Sequence, residues 1–212
     1  VDKANKEEDY KFGALRELDM APDPIVQFRK WYEDACNSNS IQPDAMTVAS
    51  ATKDGKPSAR MMLLKDVDSE GFVFYTNQES RKGEEFSQNA RVAVVFWWPL
   101  SERQVRVEGI IEKISDNEAD SYFKTRPRGS QLAAWTSNQS QVIRSREALD
   151  RRFSELEGLY CGRDIPRPPY WVGYRLRHST IEFWQGRPNR LHDRLKYRQV
   201  GGKDWIIERL SP

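Results

Sequence analysis

The run MTVASATKDGKPSARMMLL, residues 46–64, decides the fold. Two β-rich pieces, residues 46–52 and 59–64, flank the pair Asp54-Gly55. Asp-Gly between such pieces is a strong local signal for a hairpin, because glycine takes the positive φ that a tight strand connection needs. On the second piece Arg60, Met62 and Leu64 share one face, and Met61, Leu63 and Lys65 share the other. A regular strand therefore points Arg60 and Lys65 to opposite sides.

Outward from this hairpin the same texture continues. Further β-rich runs cover residues 72–76, 92–98 and 105–114, with Glu70-Gly71 as a turn. After a proline-rich linker at residues 165–169 come runs at 171–176, 180–185, 195–198 and 205–210. Helical patterns sit between and before them. Asp23 is placed as an N-cap with Pro24 at the first helical position, and Ile25, Phe28, Tyr32 and Ala35 form one stripe. Residues 80–88, 116–126 and 146–160 give three more helices, the last with Leu149, Phe153, Leu156 and Tyr160 on one face. Many short strands with little helical alternation predict a mainly β fold with peripheral helices, an antiparallel barrel and not a parallel βαβ sheet. No G-x-G-x-x-G or P-loop pattern follows a strand, so any phosphate must be held chiefly by side chains.

The 212 residues suffice for one large domain. Residues 1–22 are charged and irregular and are expected to form a mobile arm, with residues 23–212 as the folded domain. The 34 basic and 32 acidic residues leave a net charge of +2, which gives no global attraction to nucleic acid. No apolar run is long enough to span a bilayer, so no membrane partner is expected. Cys36 and Cys161 match no metal or redox spacing and read as free thiols of a reducing compartment. A cytoplasmic protein is expected, or an organellar one if an amino-terminal address has been removed.

Five constellations could carry chemistry. Arg60 and Lys65 flank the Met-Met-Leu-Leu run, where ordinary strand-end charges are the simpler explanation. Tyr75-Thr76-Asn77 precedes Ser80-Arg81-Lys82 at a helix start, a plausible anion site that a serine N-cap with solvated charges would equally explain. Tyr122 and Arg126 lie at i and i+4 on one helical face, and Ser130 joins them only if the chain turns back after Pro127. Gln139-Ser140 is an unremarkable polar pair. On a regular strand, Arg190, His192 and Arg194 would share one face, and such aligned cationic groups repel unless an anion or electron-rich ligand compensates. Neither a Ser-His-Asp order nor a histidine cluster for a metal is present.

Together these segments resemble the pyridoxine 5'-phosphate oxidase family, from about Tyr10 to Pro212. The motifs that carry the likeness are Arg60 to Lys65, Phe74-Tyr75-Thr76-Asn77, Ser80-Arg81-Lys82, Glu102-Arg103-Gln104-Val105, Tyr122-Phe123-x-x-Arg126-Pro127, Gln139-Ser140, Glu182-Phe183-Trp184-Gln185-Gly186 and Arg190-Leu191-His192-Asp193-Arg194. The resemblance implies an FMN-binding split β-barrel working as a homodimer, with FMN in clefts between subunits and a carboxy-terminal dimerisation region over about residues 165–212. It implies oxidation of pyridoxine 5'-phosphate or pyridoxamine 5'-phosphate to pyridoxal 5'-phosphate, with oxygen reduced to hydrogen peroxide. Arg60, Tyr75, Thr76, Arg81, Lys82, Gln104, Gln139, Ser140, Trp184 and Arg194 match the flavin-holding positions. Lys65, Tyr122, Arg126 and Ser130 match those that hold the substrate phosphate, Arg190 and His192 flank the substrate ring, and Tyr10 belongs to an arm that closes over it. The chain departs from the family at acidic Glu7 and Glu8, and at Val172 in place of the first glycine of Trp-Gly-Gly. The rivals are an oxidase of the same fold from phenazine biosynthesis and a non-enzymatic flavin or pyridoxal-phosphate carrier.

Overall fold

A computed structural model describes residues 13–38, 40–202 and 204–212. Its strands are β1 (Ala45–Ala51), β2 (Pro57–Leu63), β3 (Asp66–Asp68), β4 (Gly71–Asn77), β5 (Arg91–Trp98), β6 (Arg103–Lys113), β7 (Trp171–Gln185), β8 (Asp193–Val200) and β9 (Asp204–Leu210). The helices are α1 (Pro24–Asn37), α2 (Arg81–Gln88), α3 (Asp116–Thr125), α4 (Arg128–Thr136) and α5 (Arg146–Leu159).

The hairpin at Asp54-Gly55 forms as its composition dictates. Gly55 takes a φ of +86°, and β1 pairs antiparallel with β2 from Ala45–Leu63 to Ala51–Pro57. The sheet then runs β2-β1-β5-β6-β7-β4-β3, so its two ends are consecutive pieces of one chain segment. Leu64 N–H donates to the Asp44 carbonyl at 2.8 Å, toward β1, while Lys65 N–H donates to the Val73 carbonyl at 2.9 Å, toward β4. The sheet thus curls on itself and splits at Leu64-Lys65, which makes it a split barrel. That corner also removes the regular alternation expected through Lys65.

The runs expected at residues 171–176 and 180–185 are one strand. β7 pairs with β6 along one edge, while on the other its first half pairs with β4 and its second with β8. The register shifts at Glu108 and Gly109, where Ser179 is the extra residue, and its hydroxyl donates to the Glu108 carbonyl at 3.2 Å. A bulge re-aims a strand without ending it. Turn signals alone could not tell it from a break.

Helix α1 starts as its cap predicts, with the Asp23 carboxylate accepting the N–H groups of Ile25 at 2.7 Å and Val26 at 3.1 Å. It buries Ile25, Phe28, Trp31 and Ala35 in the main core. The Phe28 ring meets Phe72 edge-on at 4.8 Å and Phe96 at 5.0 Å; full burial of such a side chain stabilises by about 1.5–3 kcal/mol. A second, smaller core of Phe123, Leu132, Leu156, Ile165 and Trp171 holds α3, α4 and α5 together.

Within the span expected as an arm, Leu15, Met20 and Ala21 are buried. The Asp193 carboxylate accepts the Leu15 N–H at 3.0 Å, Arg209 donates to the Leu15 carbonyl at 2.8 Å, and the Tyr197 hydroxyl donates to the Ala21 carbonyl at 2.6 Å. These bonds moor residues 15–21 to β8 and β9. Tyr10, Glu7 and Glu8 lie outside the described residues.

Candidate active site

A cavity of about 730 Å³ opens between β2, β4, the start of α2 and helices α3 and α4. Arg60, Lys65, Arg81, Lys82 and Arg126 line it, and among the described residues no carboxylate does. Like charges gathered in a cleft focus a positive field and suit a strongly anionic ligand.

Each cation is placed by its element. Ser80 caps α2, accepting the Gly83 N–H at 3.4 Å. A Cβ at residue 83 would collide with the Gln78 backbone, so glycine is required there. The serine is the expected cap, and the cations that follow it line the cavity instead of standing free in solvent. Lys82 Nζ donates to Gln139 at 2.8 Å and to the Thr76 hydroxyl at 3.2 Å. Its ammonium is pushed down to about 8, first by burial and then by Arg60. Arg60 donates to the Val48 carbonyl at 3.1 Å, the Ser50 hydroxyl at 2.6 Å, the Ser58 hydroxyl and the Glu85 carboxylate.

The opposite wall is aromatic. Tyr75 stacks on Tyr122 at 4.1 Å and on Trp171 at 4.9 Å, nearly parallel to both. Burial first, then Glu118 and Tyr122, push the Tyr75 phenol up to about 12. Arg126 lies over Trp171 at 4.8 Å, and its Nη1 is buried without a hydrogen-bond partner. An unpaired buried donor of this kind is costly, and an acceptor entering the cavity would relieve it. Lys65 leans on Asp44 at 3.2 Å.

Val172 and Gly173 face opposite ways, as neighbours on a strand must. Val172 is buried in the main core, while a Cβ on Gly173 would strike the Ile114 side chain and the Tyr75 ring. Valine at 172 therefore leaves the cavity untouched.

A second cluster lies apart from this cavity. Across β6, β7 and β8 the register sets Gln104 beside Trp184 and Trp184 beside Arg194. Trp184 packs on Trp97 at 5.9 Å and on His192 at 4.5 Å. The buried Glu182 carboxylate binds Arg194 Nε at 2.8 Å and Nη2 at 3.2 Å, and it also meets Arg106 at 3.1 Å. The expected shared strand face of Arg190, His192 and Arg194 is not found. β8 begins only at Asp193, and Asn189 and Arg190 take positive φ of 57° and 60° in a tight turn. That turn, not strand alternation, brings His192 onto Trp184. His192 Nδ1 accepts the Arg187 N–H at 3.2 Å, and burial, with Arg190 behind it, lowers the imidazole's proton affinity.

Of the candidates, the cavity gathers Arg60, Lys65, Tyr75, Thr76, Arg81, Lys82, Tyr122, Arg126, Gln139 and Ser140. Gln104, Ser130, Trp184, Arg190, His192 and Arg194 do not line it. Ser130 sits in the first turn of α4, a helix that the proline and glycine around it concealed from the sequence. Within one chain Ser130 stays outside the cavity lining. Glu85 and Glu182 hold the arginines, a role that no spacing in the sequence assigns to Glu182, while the i,i+4 spacing of Arg81 and Glu85 is the available signal for Glu85.

Residues 32–160 match the family model described as pyridoxamine 5'-phosphate oxidase, and residues 171–212 match the pyridoxine 5'-phosphate oxidase C-terminal dimerisation region. The chain is 54% identical over 209 residues to a pyridoxine/pyridoxamine 5'-phosphate oxidase of Gloeothece citriformis, covering 99% of this chain and 98% of that one. It is 52% identical over 203 residues to the protein of the same name from Cupriavidus taiwanensis, covering 96% and 95%. Among solved structures, PhzG from Burkholderia lata, in complex with tetrahydrophenazine-1-carboxylic acid, superposes with a TM-score of 0.90 at 31% identity, covering 96% of this chain and 100% of that one. An FMN-binding protein of Nostoc punctiforme shares the fold, with a TM-score of 0.70 at 15% identity, covering 87% and 97%.

Proposed function

The chain belongs to the pyridoxamine 5'-phosphate oxidase family, and on that footing we propose that it is an FMN-dependent oxidase of pyridoxine 5'-phosphate and pyridoxamine 5'-phosphate. Pyridoxal 5'-phosphate is the product, oxygen the final acceptor and hydrogen peroxide the by-product.

One observation carries the reading. The cavity cations fall into two sets with different partners, which suits two phosphates. Arg60, Arg81 and Lys82 cluster around Glu85, Thr76 and Gln139. Lys65 and Arg126 stand apart from that network, on Asp44 and on the Trp171 wall. The first set, with Tyr75 and Ser140, would hold the flavin. Lys65, Tyr122 and Arg126 would hold the substrate phosphate, and the unpaired Arg126 Nη1 is a donor waiting for it. The donor set thus fits FMN and a phosphorylated substrate.

The second cluster supplies what the cavity lacks. Gln104, Trp184 and Arg194 lie on the outward face of the sheet, beside the half-exposed Trp97. A second copy of the chain packed on this face would bring its own Gln104, Trp184, Arg190, His192 and Arg194 to the cavity, giving a homodimer with sites between subunits. The match to a dimerisation region supports that arrangement.

When bound, FMN supplies the acceptor for the hydride that leaves C4' of the substrate. The chain's part is positioning and electrostatics. The phosphate contacts fix the substrate's far end, and Arg190 covers the ring. His192 accepts a backbone N–H at Nδ1, so in the neutral form its proton sits on Nε2. It therefore acts as a hydrogen-bond donor that orients the C4' substituent.

The test is a visible spectrum of the purified protein, then peroxide formation on adding pyridoxine 5'-phosphate. A flavin spectrum with stoichiometric peroxide is expected. A yellow protein that consumes no oxygen with this substrate would overturn the reading. It would point instead to an oxidase of an unphosphorylated ring, for which Lys65 and Arg126 have no use.

A further inference from the structure

Glu85 does not line the cavity, yet it is bonded to two residues that do. It lies on the inward face of α2 and is only 3% exposed. Its Oε2 accepts the hydroxyls of Ser50 and Ser58, each at 2.5 Å, and Arg60 Nη2 at 3.2 Å. Its Oε1 accepts Arg81 Nε at 2.9 Å. Burial works to raise the carboxyl's pKa, but the two hydroxyls and two guanidinium groups outweigh it and hold it down to about 2. The carboxylate is thus fully ionised in the working range.

A buried ion cluster is weak grounds for a purely stabilising role, since apolar replacements of like volume often do as well. What the cluster does achieve is direction. Arg60 is fixed by bonds to Val48, Ser50, Ser58 and Glu85 while remaining part of the cavity wall. Arg81 gives its Nε to Glu85 while its side chain stays 57% exposed at the cavity. Two guanidinium groups and the Lys82 ammonium would otherwise repel one another before any anion arrived.

We propose that Glu85 is a positioning residue for the cofactor phosphate: it holds Arg60 and Arg81 in the phosphate-binding arrangement and is the fixed counter-charge of the ligand-free pocket. This rests on assigning that pocket to FMN. The idea has a sign that electrostatics alone would reverse. Removing one negative charge beside an anion site should tighten anion binding, whereas releasing two oriented arginines should loosen it.

The experiment titrates the full-length apoprotein with FMN and, separately, with riboflavin, which lacks the phosphate, following flavin fluorescence. In Glu85→Gln, FMN is expected to bind at least about tenfold more weakly, the loss of one or two charge-assisted bonds. Riboflavin affinity should change by less than about twofold, within the scatter of a neutral surface change. FMN affinity that is unchanged or improved overturns the proposal, as does an equal loss for both flavins, which would mean a general structural role. Should Glu85→Gln fail to fold, the Ser50→Ala, Ser58→Ala double variant keeps the charge but removes the two hydroxyls that fix the carboxylate and Arg60 to each other. The same phosphate-selective loss is expected from it, and its absence overturns the proposal. A wild-type chain that binds neither flavin would break the cofactor assignment itself, a distinct outcome.

Discussion

Arg126 lays its guanidinium 4.8 Å over the Trp171 ring while keeping Nη1 buried and unpaired. Burial lowers its pKa, with Tyr122 opposing. This cation is therefore a cost that a bound substrate phosphate would relieve. Arg126→Met should raise the KM for pyridoxine 5'-phosphate by about 30-fold, the worth of roughly 2 kcal/mol of charge-assisted bonding, and leave FMN affinity alone. Thermal unfolding of the apoprotein should show no loss of stability, because an unpaired buried donor has been removed. A fall in melting temperature with unchanged KM would mean that Arg126 serves the fold.

Lys82 gives a pH dependence with a definite sign. Its folded pKa of about 8 lies below the ordinary 10.5, so the cation is lost from the folded chain as pH rises through 8. FMN phosphate should favour the protonated form, and affinity should fall above pH 8 by up to about tenfold per unit. Stability of the apoprotein moves the other way, rising between pH 8 and 10.5, where only the unfolded chain still binds the proton. Lys82→Arg should flatten the affinity profile over that range. Titrations of wild type and variant at pH 7, 8 and 9 decide it.

Much of this was legible in the sequence, for physical reasons that differ by residue. Asp54-Gly55 and the Asp23-Pro24 cap were readable because turn and cap chemistry are local. The cation set around Ser80-Arg81-Lys82 was readable because short-range order already places it at a helix start. The placement of Arg190 and His192 was not, because one pair of residues with positive φ abolishes strand alternation. Glu85 and Glu182 were hidden for another reason. A buried carboxylate looks like any surface glutamate until the strands carrying its arginines are brought beside it.

Val172 and Gly173 should respond oppositely to change. Val172→Ala removes buried methyl groups from the main core and should cost about 1–3 kcal/mol of stability. Its flavin site should remain intact, since Val172 faces away from the cavity. Gly173→Ala drives a methyl group into Ile114 and the Tyr75 ring. It should cost a similar amount through overpacking and, in addition, disturb the Tyr75 stack and weaken FMN binding. Denaturant melts paired with FMN titration separate the two.

Trp97 is 48% exposed in the single chain and packs against Trp184 at 5.9 Å. If this outward face meets a second copy, a charge there is buried on association and opposes it. Trp97→Glu should shift the protein from dimer to monomer in sedimentation. FMN should be lost with the dimer, because Gln104, Trp184 and Arg194 no longer reach a cavity. A dimeric Trp97→Glu variant would place the interface elsewhere.

The role of His192 follows from the atom it has already committed. Nδ1 accepts the Arg187 N–H, so protonating that nitrogen both breaks the bond and adds a charge beside Arg190. Burial and Arg190 lower the folded pKa below the ordinary 6.5, so the histidine stays neutral until the solution is more acidic than that. With FMN saturating, turnover should therefore hold level from about pH 6.5 to 8 and fall on the acid side. His192→Asn places an amide oxygen where Nδ1 accepts, and it does not titrate. That variant should turn over more slowly, having lost the Nε2 donor, but its acid limb should be absent. If the limb persists unshifted in His192→Asn, another group titrates, and His192 only fills space beside Trp184. If turnover slows while the limb vanishes and FMN binding is kept, the histidine acts on the substrate from its neutral state.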